Sequence, residues 1–383
     1  MSGVLSVVVA VLGVGLLILV HEFGHFVVAK LTGMRVEEFS LGFGPYLVKR
    51  RVGDTVYGIS AFPVGGYVRV TGMHEEDFQA RVEAVEEART YKGRDAESRM
   101  TGRSALSDEE IIKTPLQNRY YAKPVWQRVL FIVAGVSMNV VAAFVILFFL
   151  GVRGYFVPST VISNVEPGSG AAAAGLLEGD RLLSIDGQAI DDWNHVQEII
   201  LANPDATVTV VVERAARPVT VRATIGTRED GSPVLGIRPE VDEVKPNVWQ
   251  AVTFAGGRTG ELFRLTFRGW GMMLSGEAPV TGPQGIAGPV GIVSISSEAF
   301  RGGYFLSLLA FISVQLTILN MLPLLPLDGG HVLFSIIEKV TGKALSLRTF
   351  ESVSVVGIAL FLLLFLVATG NDLGRLFSGT VGF

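Results

Sequence analysis

Apolar residues are concentrated in four long runs of the 383-residue chain. The runs cover residues 4–29, 129–152, 305–325 and 353–369. Each comes near the roughly 20 apolar residues that a helix needs to cross the hydrocarbon core of a bilayer. The first run lacks the basic start and small-residue cleavage site of a signal peptide, so we expect it to be retained. The pattern predicts a polytopic α-helical membrane protein with four transmembrane helices.

The composition agrees with this interpretation. Hydrophobic residues make up 49% of the chain, charged residues make up only 18%, and the mean hydropathy is +0.46. A net charge of -4 gives no indication of a nucleic-acid partner. The chain has no cysteine, which excludes disulfides and thiolate metal ligands and leaves the redox compartment undetermined.

Basic residues in the short loops predict how the helices are oriented. The first twenty residues contain no Lys or Arg, whereas residues 30–128 contain many. The connection between the third and fourth runs carries Lys339, Lys343 and Arg348. Because cytosolic loops are enriched in such residues, we expect residues 30–128 inside, and both chain ends and residues 153–300 outside.

A small β-sheet is predicted between the first two apolar runs. Residues 36–71 contain four short strand-like stretches, "EEFSL", "YLVKR", "TVYGIS" and "YVRVTG". Gly53 and Asp54 form a turn signal between the second and third stretches. We expect an antiparallel sheet at the inner membrane face. Residues 74–123 carry charges of both signs, which predicts a solvated helix followed by a loop.

Residues 157–228 have the turn and strand signals of a compact α+β domain. The strand "RLLSI" lies between a Gly-Asp and an Asp-Gly turn, and "ATVTVVVERAARPVTVRATIG" predicts two further strands after a helix. This order is strongly similar to a PDZ domain, a module that binds extended peptides by adding a strand to a sheet edge. The pattern leaves two roles open, peptide capture and a spacer or steric filter.

These patterns divide the chain into ten segments. The part at 247–285 is rich in aromatic residues and glycine, which favours either an interfacial helix or a linker packed on the PDZ-like domain. The predicted segments are transmembrane helix 1 (1–30), a membrane-associated β-sheet or hairpin on the cytosolic side (31–73), a charged insert (74–123), transmembrane helix 2 (124–152), an extracytoplasmic PDZ domain (153–240), an interfacial connecting region (241–300), transmembrane helix 3 (301–331), a cytosolic connection (332–352), transmembrane helix 4 (353–370) and a tail (371–383).

The stretch "LVHEFGHFVVAK" places His21, Glu22 and His25 within the first apolar run. Residues four apart lie on one face of a helix, so both imidazoles can share one metal ion and Glu22 can reach a metal-bound water. Zinc lowers the pKa of such a water and a carboxylate accepts its proton. Placing an ionisable side chain in the bilayer core costs roughly 2.5–3.5 kcal/mol, which favours a functional site. The alternative is a structural polar cluster that faces a partner helix.

A hydrolytic zinc site also needs a third protein ligand. We expect His74 and His195 to be ordinary surface residues of the charged insert and the PDZ-like helix. The third apolar run ends "LNMLPLLPLDGGH", where two prolines break the helix just before Asp328. Irregular backbone at membrane depth occurs only where protein or a cavity covers it, so Asp328 is a ligand candidate. His331 competes with it on chemistry alone, and the motif does not decide between them.

Together, "HEFGH" and "LNMLPLLPLDGGH" resemble the site-2 protease family of intramembrane zinc metalloproteases. The PDZ-like domain between the second and third runs resembles the bacterial regulator-of-sigma-E protease branch, in a form with one PDZ domain. The resemblance implies a zinc metalloendopeptidase with one Zn²⁺ held by His21, His25 and Asp328. It implies that Glu22 is the general base and that His331 is not a ligand.

The resemblance also implies a substrate-binding surface. Asn320 would hydrogen-bond the substrate backbone, and "FPVGGYVRV" at 62–70 resembles a re-entrant β-hairpin that pairs with the substrate strand. "GPVGI" at 288–292 matches a further family segment. One departure is Val136 in "AGVSMN", where the family often has proline, although Asn139 keeps the match. The hairpin residues expected to bind substrate are Gly65, Gly66, Tyr67 and Val68.

The implied substrate is the transmembrane helix of a single-pass protein, an anti-sigma factor already trimmed outside the cell and cut by regulated intramembrane proteolysis. The implied location is the bacterial inner membrane, with the active site near the cytosolic side. The PDZ domain would take a peptide or protein tail and, with residues 241–285, exclude untrimmed substrates. The alternatives are a PDZ-bearing membrane scaffold and a metal transporter. Glu22 favours hydrolysis, because binding or transport needs no general base.

Overall fold

The chain divides into two units, Met1–Phe149 with Val252–Phe383, and Leu150–Ala251. Each is taken by itself below. Most of the predicted charged insert, from residue 74 to residue 107, lies outside the residues that the structure describes. The computed structural model describes residues 3–73, 108–228, 232–282, 285–342 and 347–378, together with positions 79, 82 and 83.

Three long apolar helices dominate the first unit. At 1.5 Å per residue, helices of 28 residues or more exceed the roughly 30 Å thickness of a bilayer core. The second of them continues past Val136 without a break, because valine keeps the backbone N–H that proline lacks. All three are long and apolar enough to cross a membrane. They are α1 (Gly3–Leu31), α3 (Val125–Val152) and α10 (Leu347–Phe377).

The third predicted transmembrane helix is shorter than predicted. The apolar run predicts a transmembrane helix within residues 301–331 that breaks at Pro323 and Pro326, but the helix ends at Asn320 after 16 residues and is only about 24 Å long. Pro323 and Pro326 cannot continue a helix, so the chain runs irregularly until a new helix begins at Asp328. Among the described residues, three helices and not four therefore reach the length of a full span. The two parts are α8 (Phe305–Asn320) and α9 (Asp328–Thr341).

Two amphipathic helices occupy most of the predicted interfacial region. In the first of them, Thr266 Oγ1 accepts a hydrogen bond from Nε2 of Gln315 in α8 at 3.0 Å. The second starts within "GPVGI", and Asp372 of α10 accepts the backbone N–H groups of Gly288 and Gly291 at 3.0 and 2.8 Å. The helices are α6 (Val248–Ser275) and α7 (Pro289–Arg301), and the short ones before α3 are α2 (Asp108–Ile112) and the 3₁₀ turns Leu116–Asn118 and Tyr120–Ala122.

Two long, bent strands, β1 (Val36–Val52) and β2 (Thr55–Val70), form the predicted small sheet. They are joined at the predicted turn, where Val52 pairs with Thr55. The first part of β1 pairs on one side with residues 66–70 and on the other with residues 56–59 of β2. Residues 66–70 are thus an outer strand of the sheet, and this outer strand borders α1.

A buried carboxylate joins three parts of this sheet. Glu38 is 1% exposed, and its Oε2 accepts hydrogen bonds from the hydroxyls of Tyr46 and Tyr67, both at 2.7 Å. Burial, together with these hydroxyl and carboxylate neighbours, raises the pKa of Tyr46, which stays a donor at neutral pH. Gly58 is required beneath it, because a methyl group there would meet the Tyr46 ring.

The second unit has its own core and the predicted order of strands and helices. Its sheet runs β10-β3-β4-β6-β7, with β5 paired to β4. The predicted strand "RLLSI" is β4, and Asp192 begins the next helix by accepting the N–H of His195 at 2.9 Å. The elements are β3 (Tyr155–Val165), α4 (Gly170–Ala173), β4 (Arg181–Ile185), β5 (Gln188–Ala189), α5 (Trp193–Ala202), β6 (Thr207–Arg214), β7 (Arg217–Thr224), β8 (Gly226–Thr227), β9 (Pro233–Val234) and β10 (Ile237–Val244).

One ion pair in this unit has a consequence for its stability. Nε and Nη2 of Arg214 donate to the two oxygens of Asp180 at 2.7 and 2.6 Å, and the carboxylate is 1% exposed. These hydrogen bonds hold the pKa of Asp180 below its usual range. Because the pKa of Asp180 is lower in the folded state, the ion pair stabilises the fold at pH values above the unfolded-state pKa of about 3.9. This stabilisation is lost as the pH falls through the folded-state pKa.

We expect Asp180→Asn to lower the Tm of a fragment covering Leu150–Ala251 by a few degrees at pH 7. The substitution removes the charge, so the fall in Tm on acidification below about pH 4 should become shallower. Thermal unfolding followed by circular dichroism between pH 2 and 7 measures both effects. Asp242→Asn, at an exposed position of β10, is the control and should match the unmodified fragment. Identical pH profiles for all three would contradict the prediction.

Candidate metal centre

The last turns of α1 bring His21, Glu22 and His25 to one place. The two histidines are one helical turn apart, and their rings meet edge to face with centroids 4.7 Å apart. Both side chains are buried, each only 6% exposed. Their Nε2 atoms lie 3.1 Å from each other, so both imidazoles point at the same spot.

Asp328, the first residue of α9, completes the cluster. Its Oδ2 lies 3.0 Å from Nε2 of His21 and 3.4 Å from Nε2 of His25. Among the described residues, these three form the only group of three or more metal-ligating side chains whose ligand atoms all lie within 4.8 Å of one another. Two segments about 300 positions apart in the chain therefore meet as the sequence motifs suggest.

Glycines allow the broken segment between α8 and α9 to place Asp328. The chain from Met321 to Leu325 folds back over the first turn of α9. A methyl group on Gly329 would lie 2.3 Å from the carbonyl oxygen of Met321, and one on Gly330 would lie 2.7 Å from backbone atoms of Leu324 and Leu325. The Asp-Gly-Gly sequence is therefore required by this close backbone approach.

Helix α3 packs directly behind the two histidines. A methyl group on Gly24 would lie 2.4 Å from the carbonyl oxygen of Ala134, so the helix backbones touch at this point. Gly135 faces His25, and a methyl group there would lie 2.2 Å from Nε2 of the imidazole. These two glycines let α3 approach closely enough to fix the ring of His25.

Each histidine also uses its other ring nitrogen. Nδ1–H of His25 donates to the carbonyl oxygen of Phe131 at 2.8 Å. A carbonyl can only accept, so Nδ1 carries the proton and the lone pair of Nε2 faces Asp328. Nδ1 of His21 lies 3.2 Å from the side-chain amide of Asn139, which is fully buried in α3. Neither Phe131, Gly135 nor Asn139 was predicted to act here. The available signal was the four-residue spacing of Gly135 and Asn139, which equals that of the two histidines.

The chemistry of the cluster fits a divalent cation. Oδ2 of Asp328 is buried, and no donor in the described part of the chain makes a hydrogen bond to it, although two ring nitrogens lie close. An unsatisfied buried carboxylate oxygen is costly, whereas a shared cation would satisfy it and both Nε2 lone pairs. Two imidazole nitrogens and one carboxylate oxygen are a ligand set that suits zinc and leaves a fourth position for water.

Glu22 joins this centre to the outer strand of the sheet. The backbone N–H of Val68 donates to Oε2 of Glu22 at 3.2 Å. A methyl group on Gly66 would lie 3.8 Å from Cγ of Glu22 and 2.7 Å from the carbonyl oxygen of Ser40, so glycine is needed where this strand passes between α1 and β1. The outer edge of residues 66–70 therefore faces the general-base candidate.

The other predicted residues are placed as follows. Asn320 ends α8 eight positions before Asp328 and is partly exposed, and His331 lies in the first turn of α9 outside the metal-ligating group. His195 belongs to α5 of the second unit. His74 lies outside the described residues.

The predicted hairpin residues lie in different surroundings. Gly65 adopts a φ of +89° near Phe43, a conformation that favours glycine. The hydroxyl of Tyr67 is occupied by Glu38 and by Tyr46, so that side chain supports the sheet from within. Val68 presents its backbone to the centre.

Comparison with known proteins agrees with this site. Residues 9–364 match the model of peptidase family M50. The zinc metalloprotease RasP of Bacillus licheniformis is 29% identical, over 97% of this chain and 99% of the relative, and the regulator of sigma-W protease RasP of Bacillus subtilis is 28% identical over the same shares. The crystal structure of the PDZ domain of an SdrC-like protein from Listeria monocytogenes matches 21% of this chain and 87% of that chain at 20% identity, with a TM-score of 0.20. The family match, which spans both halves of the metal centre, shows that the chain belongs to peptidase family M50, the site-2 protease family.

Proposed function

We propose that this protein is an intramembrane zinc metalloprotease that cuts peptide bonds within the transmembrane helix of single-pass membrane proteins. The observation that carries the proposal is the convergence of His21, His25 and Asp328 beside Glu22. The two histidines and Glu22 of this cluster lie on α1, which is long and apolar enough to cross a membrane. Ionisable groups in such segments persist when they are paired, liganded or functional.

The residues divide the chemistry among them. Nε2 of His21, Nε2 of His25 and Oδ2 of Asp328 would hold one Zn²⁺. The bound ion supplies Lewis-acid chemistry, lowering the pKa of water and polarising the scissile carbonyl. Glu22 accepts the proton of the attacking water and passes it to the leaving amine. The N–H of Val68 holds one oxygen of Glu22 in place for this step.

The substrate must leave its helical conformation before it is cut, since helical carbonyls are hydrogen-bonded and screened by side chains. We infer that it binds as an extended strand along the outer edge of residues 66–70, by strand addition. That edge already reaches Glu22, so a paired strand would lie beside the metal centre. Gly65, Gly66, Tyr67 and Val68 would form this edge. Asn320 would hydrogen-bond the substrate backbone.

The substrate is inferred to be an anti-sigma factor that a first protease has trimmed outside the cell. The support is the name of the Bacillus subtilis relative, regulator of sigma-W protease. The bias of basic residues supports an inner-membrane protein with residues 30–128 in the cytosol and both chain ends and the PDZ-like domain outside. In this arrangement α8 and the segment to Leu327 act as the short third span.

The PDZ-like domain is proposed to bind a peptide or protein tail. A groove of about 390 Å³ lies between α5 and the strands β9 and β10, and Trp193, Ile200 and Leu235 contribute apolar surface to it. A groove beside a sheet edge suits an extended peptide. A scaffold or a metal transporter is the alternative function for the whole chain. Both are disfavoured by Glu22, which is held at the centre although neither needs a proton acceptor.

Glu22→Gln tests the proposal most directly. The amide keeps the shape of the side chain and cannot accept the proton, so cleavage of a reporter transmembrane helix should fall by about 10²–10⁴-fold. Zinc content of the purified protein should stay at the wild-type level, since Glu22 is not a ligand. Gel analysis of the reporter and elemental analysis of the protein measure the two quantities. Cleavage at the wild-type rate in the Gln variant would rule the proposal out.

The ligand set is tested by Asp328→Ala and His331→Ala. Removing the carboxylate leaves only two protein ligands, so zinc occupancy should drop sharply in Asp328→Ala. His331 lies outside the ligating group, so zinc occupancy should be retained in His331→Ala. Elemental analysis after dialysis against a weak chelator gives the comparison. Full occupancy in Asp328→Ala with loss in His331→Ala would reverse the assignment.

Gly135→Ala tests the packing of α3 behind the centre. The added methyl group would lie 2.2 Å from Nε2 of His25, so the ring must move away from its ligating position. We expect zinc affinity to fall about tenfold or more, measured by competition with a chromophoric chelator. Gly370→Ala in α10 is the matched control, because a methyl group there meets nothing within 4 Å among the described atoms. Equal affinity in the two variants would show that the contact is unimportant.

A further inference from the structure

One face of α3 packs against the two histidines of α1. Phe131, Gly135 and Asn139 are spaced four apart, so they line up along one side of α3. The carbonyl of Phe131 accepts from His25, Gly135 lies against the ring of His25, and the amide of Asn139 meets His21. None of the three supplies a metal ligand, yet together they touch both histidines.

The two histidines differ in how their outer nitrogen is held. His25 is held by a backbone carbonyl, which can only accept, so its Nδ1 must carry the proton. His21 is held by a side-chain amide, which offers a donor on one end and an acceptor on the other. The tautomer of His21 therefore depends on which end of the Asn139 amide faces it.

The present orientation of the amide leaves an uncompensated atom. Nδ2 of Asn139 lies 3.2 Å from Nδ1 of His21, and Oδ1 is buried with no hydrogen-bond partner among the described residues. With Nδ2 donating, the proton of a neutral His21 ring sits on Nε2, and a protonated Nε2 cannot bind a cation. Turning the amide by 180° exchanges its two ends at almost no steric cost. Oδ1 then accepts the Nδ1–H of His21, and the lone pair of Nε2 faces Asp328.

We propose that Asn139 is the positioning residue for His21: its amide oxygen accepts the Nδ1–H of that histidine and so keeps Nε2 available to the metal. The inference rests on the proposed zinc site. A hydrogen-bonded oxygen behind a ligating imidazole fixes the ring and makes it a better ligand, and its removal commonly costs 10–100-fold in metal affinity. Asn139 is 0% solvent-accessible, so no water from solvent can replace the hydrogen bond that its amide makes to His21.

The test compares three variants of the full-length protein in detergent, with zinc affinity measured by competition with a chelator. Asn139→Leu has nearly the same volume and no hydrogen-bonding group, and we expect its zinc affinity to fall about 10–100-fold. Asn139→Asp offers an oxygen in either orientation and should recover most of that loss. The Co²⁺-substituted proteins give a second readout, since a displaced imidazole changes the visible absorption bands of the bound ion. These bands should change in Asn139→Leu and resemble those of the wild type in Asn139→Asp.

Ser313→Ala is the matched control for packing. The hydroxyl of Ser313 donates to the backbone carbonyl of Asn139 at 2.8 Å, so this variant disturbs the same position of α3 without touching the amide. Its zinc affinity and Co²⁺ spectrum should match the wild type. Asn139→Ala replaces the Leu variant if the latter is not recovered as folded protein.

The outcomes separate the inference from the function on which it rests. Wild-type affinity in Asn139→Leu, equal losses in the Leu and Asp variants, or an equal loss in Ser313→Ala would each overturn the role of Asn139. If the wild type binds no zinc, or binds zinc that Asp328→Ala does not affect, the metal site itself is overturned instead. Activity is not needed for either decision.

Discussion

The structure depends on the cost of placing ionisable side chains inside apolar helices. Each such group costs about 2.5–3.5 kcal/mol in a bilayer core unless it finds a partner. His21, His25 and Asp328 lie together at one point, and the two histidines find further partners in Asn139 and Phe131 of α3. Glu22 satisfies it through the N–H of Val68. Because these partners come from α1, α9 and the sheet, the demand for pairing brings three distant parts of the chain to one point.

The same constraint explains the break between α8 and α9. A continuous helix from Phe305 would carry Asp328 more than six turns further along its axis and fix its direction by helical geometry alone. Pro323 and Pro326 end that helix, and Gly329 and Gly330 let the freed backbone pack against the next one. The irregular stretch is tolerated because it lies against protein, as unpaired backbone at membrane depth requires.

Sequence patterns could predict those features that depend on one segment at a time. The length of the apolar runs predicted α1, α3 and α10, and helical spacing placed His21 and His25 on one face. Four strand-like stretches and the turn at Gly53 and Asp54 predicted the small sheet, whose stretches are joined in pairs into two long strands. The two prolines predicted a break before Asp328, but they did not predict that α8 ends already at Asn320, because the apolar composition continues past that residue.

Features that arise between segments were beyond local patterns. The motif alone left Asp328 and His331 open, since both residue types bind zinc, and it is the placement of α9 against α1 that brings Asp328 close to both imidazoles. Asn139 matches a family pattern, but neither it nor Gly135 has an assigned role until α3 is seen behind the histidines. The link between Glu38, Tyr46 and Tyr67 likewise joins three parts of a folded sheet that share no local motif.

The centre thus separates supplying ligands from orienting them. Helix α1 and the start of α9 carry the three candidate ligand atoms, whereas α3 carries none of them and contacts both imidazoles. A partner on the opposite ring nitrogen fixes the tautomer and the orientation of a ligating imidazole, so a supporting helix contributes to metal affinity without supplying a ligand. Close packing makes that support rigid, because Gly24 and Gly135 leave no space for α3 to shift without displacing a ring. Gly24 and Gly135 are therefore positions at which a single added methyl group would disturb the centre, although neither residue performs chemistry itself.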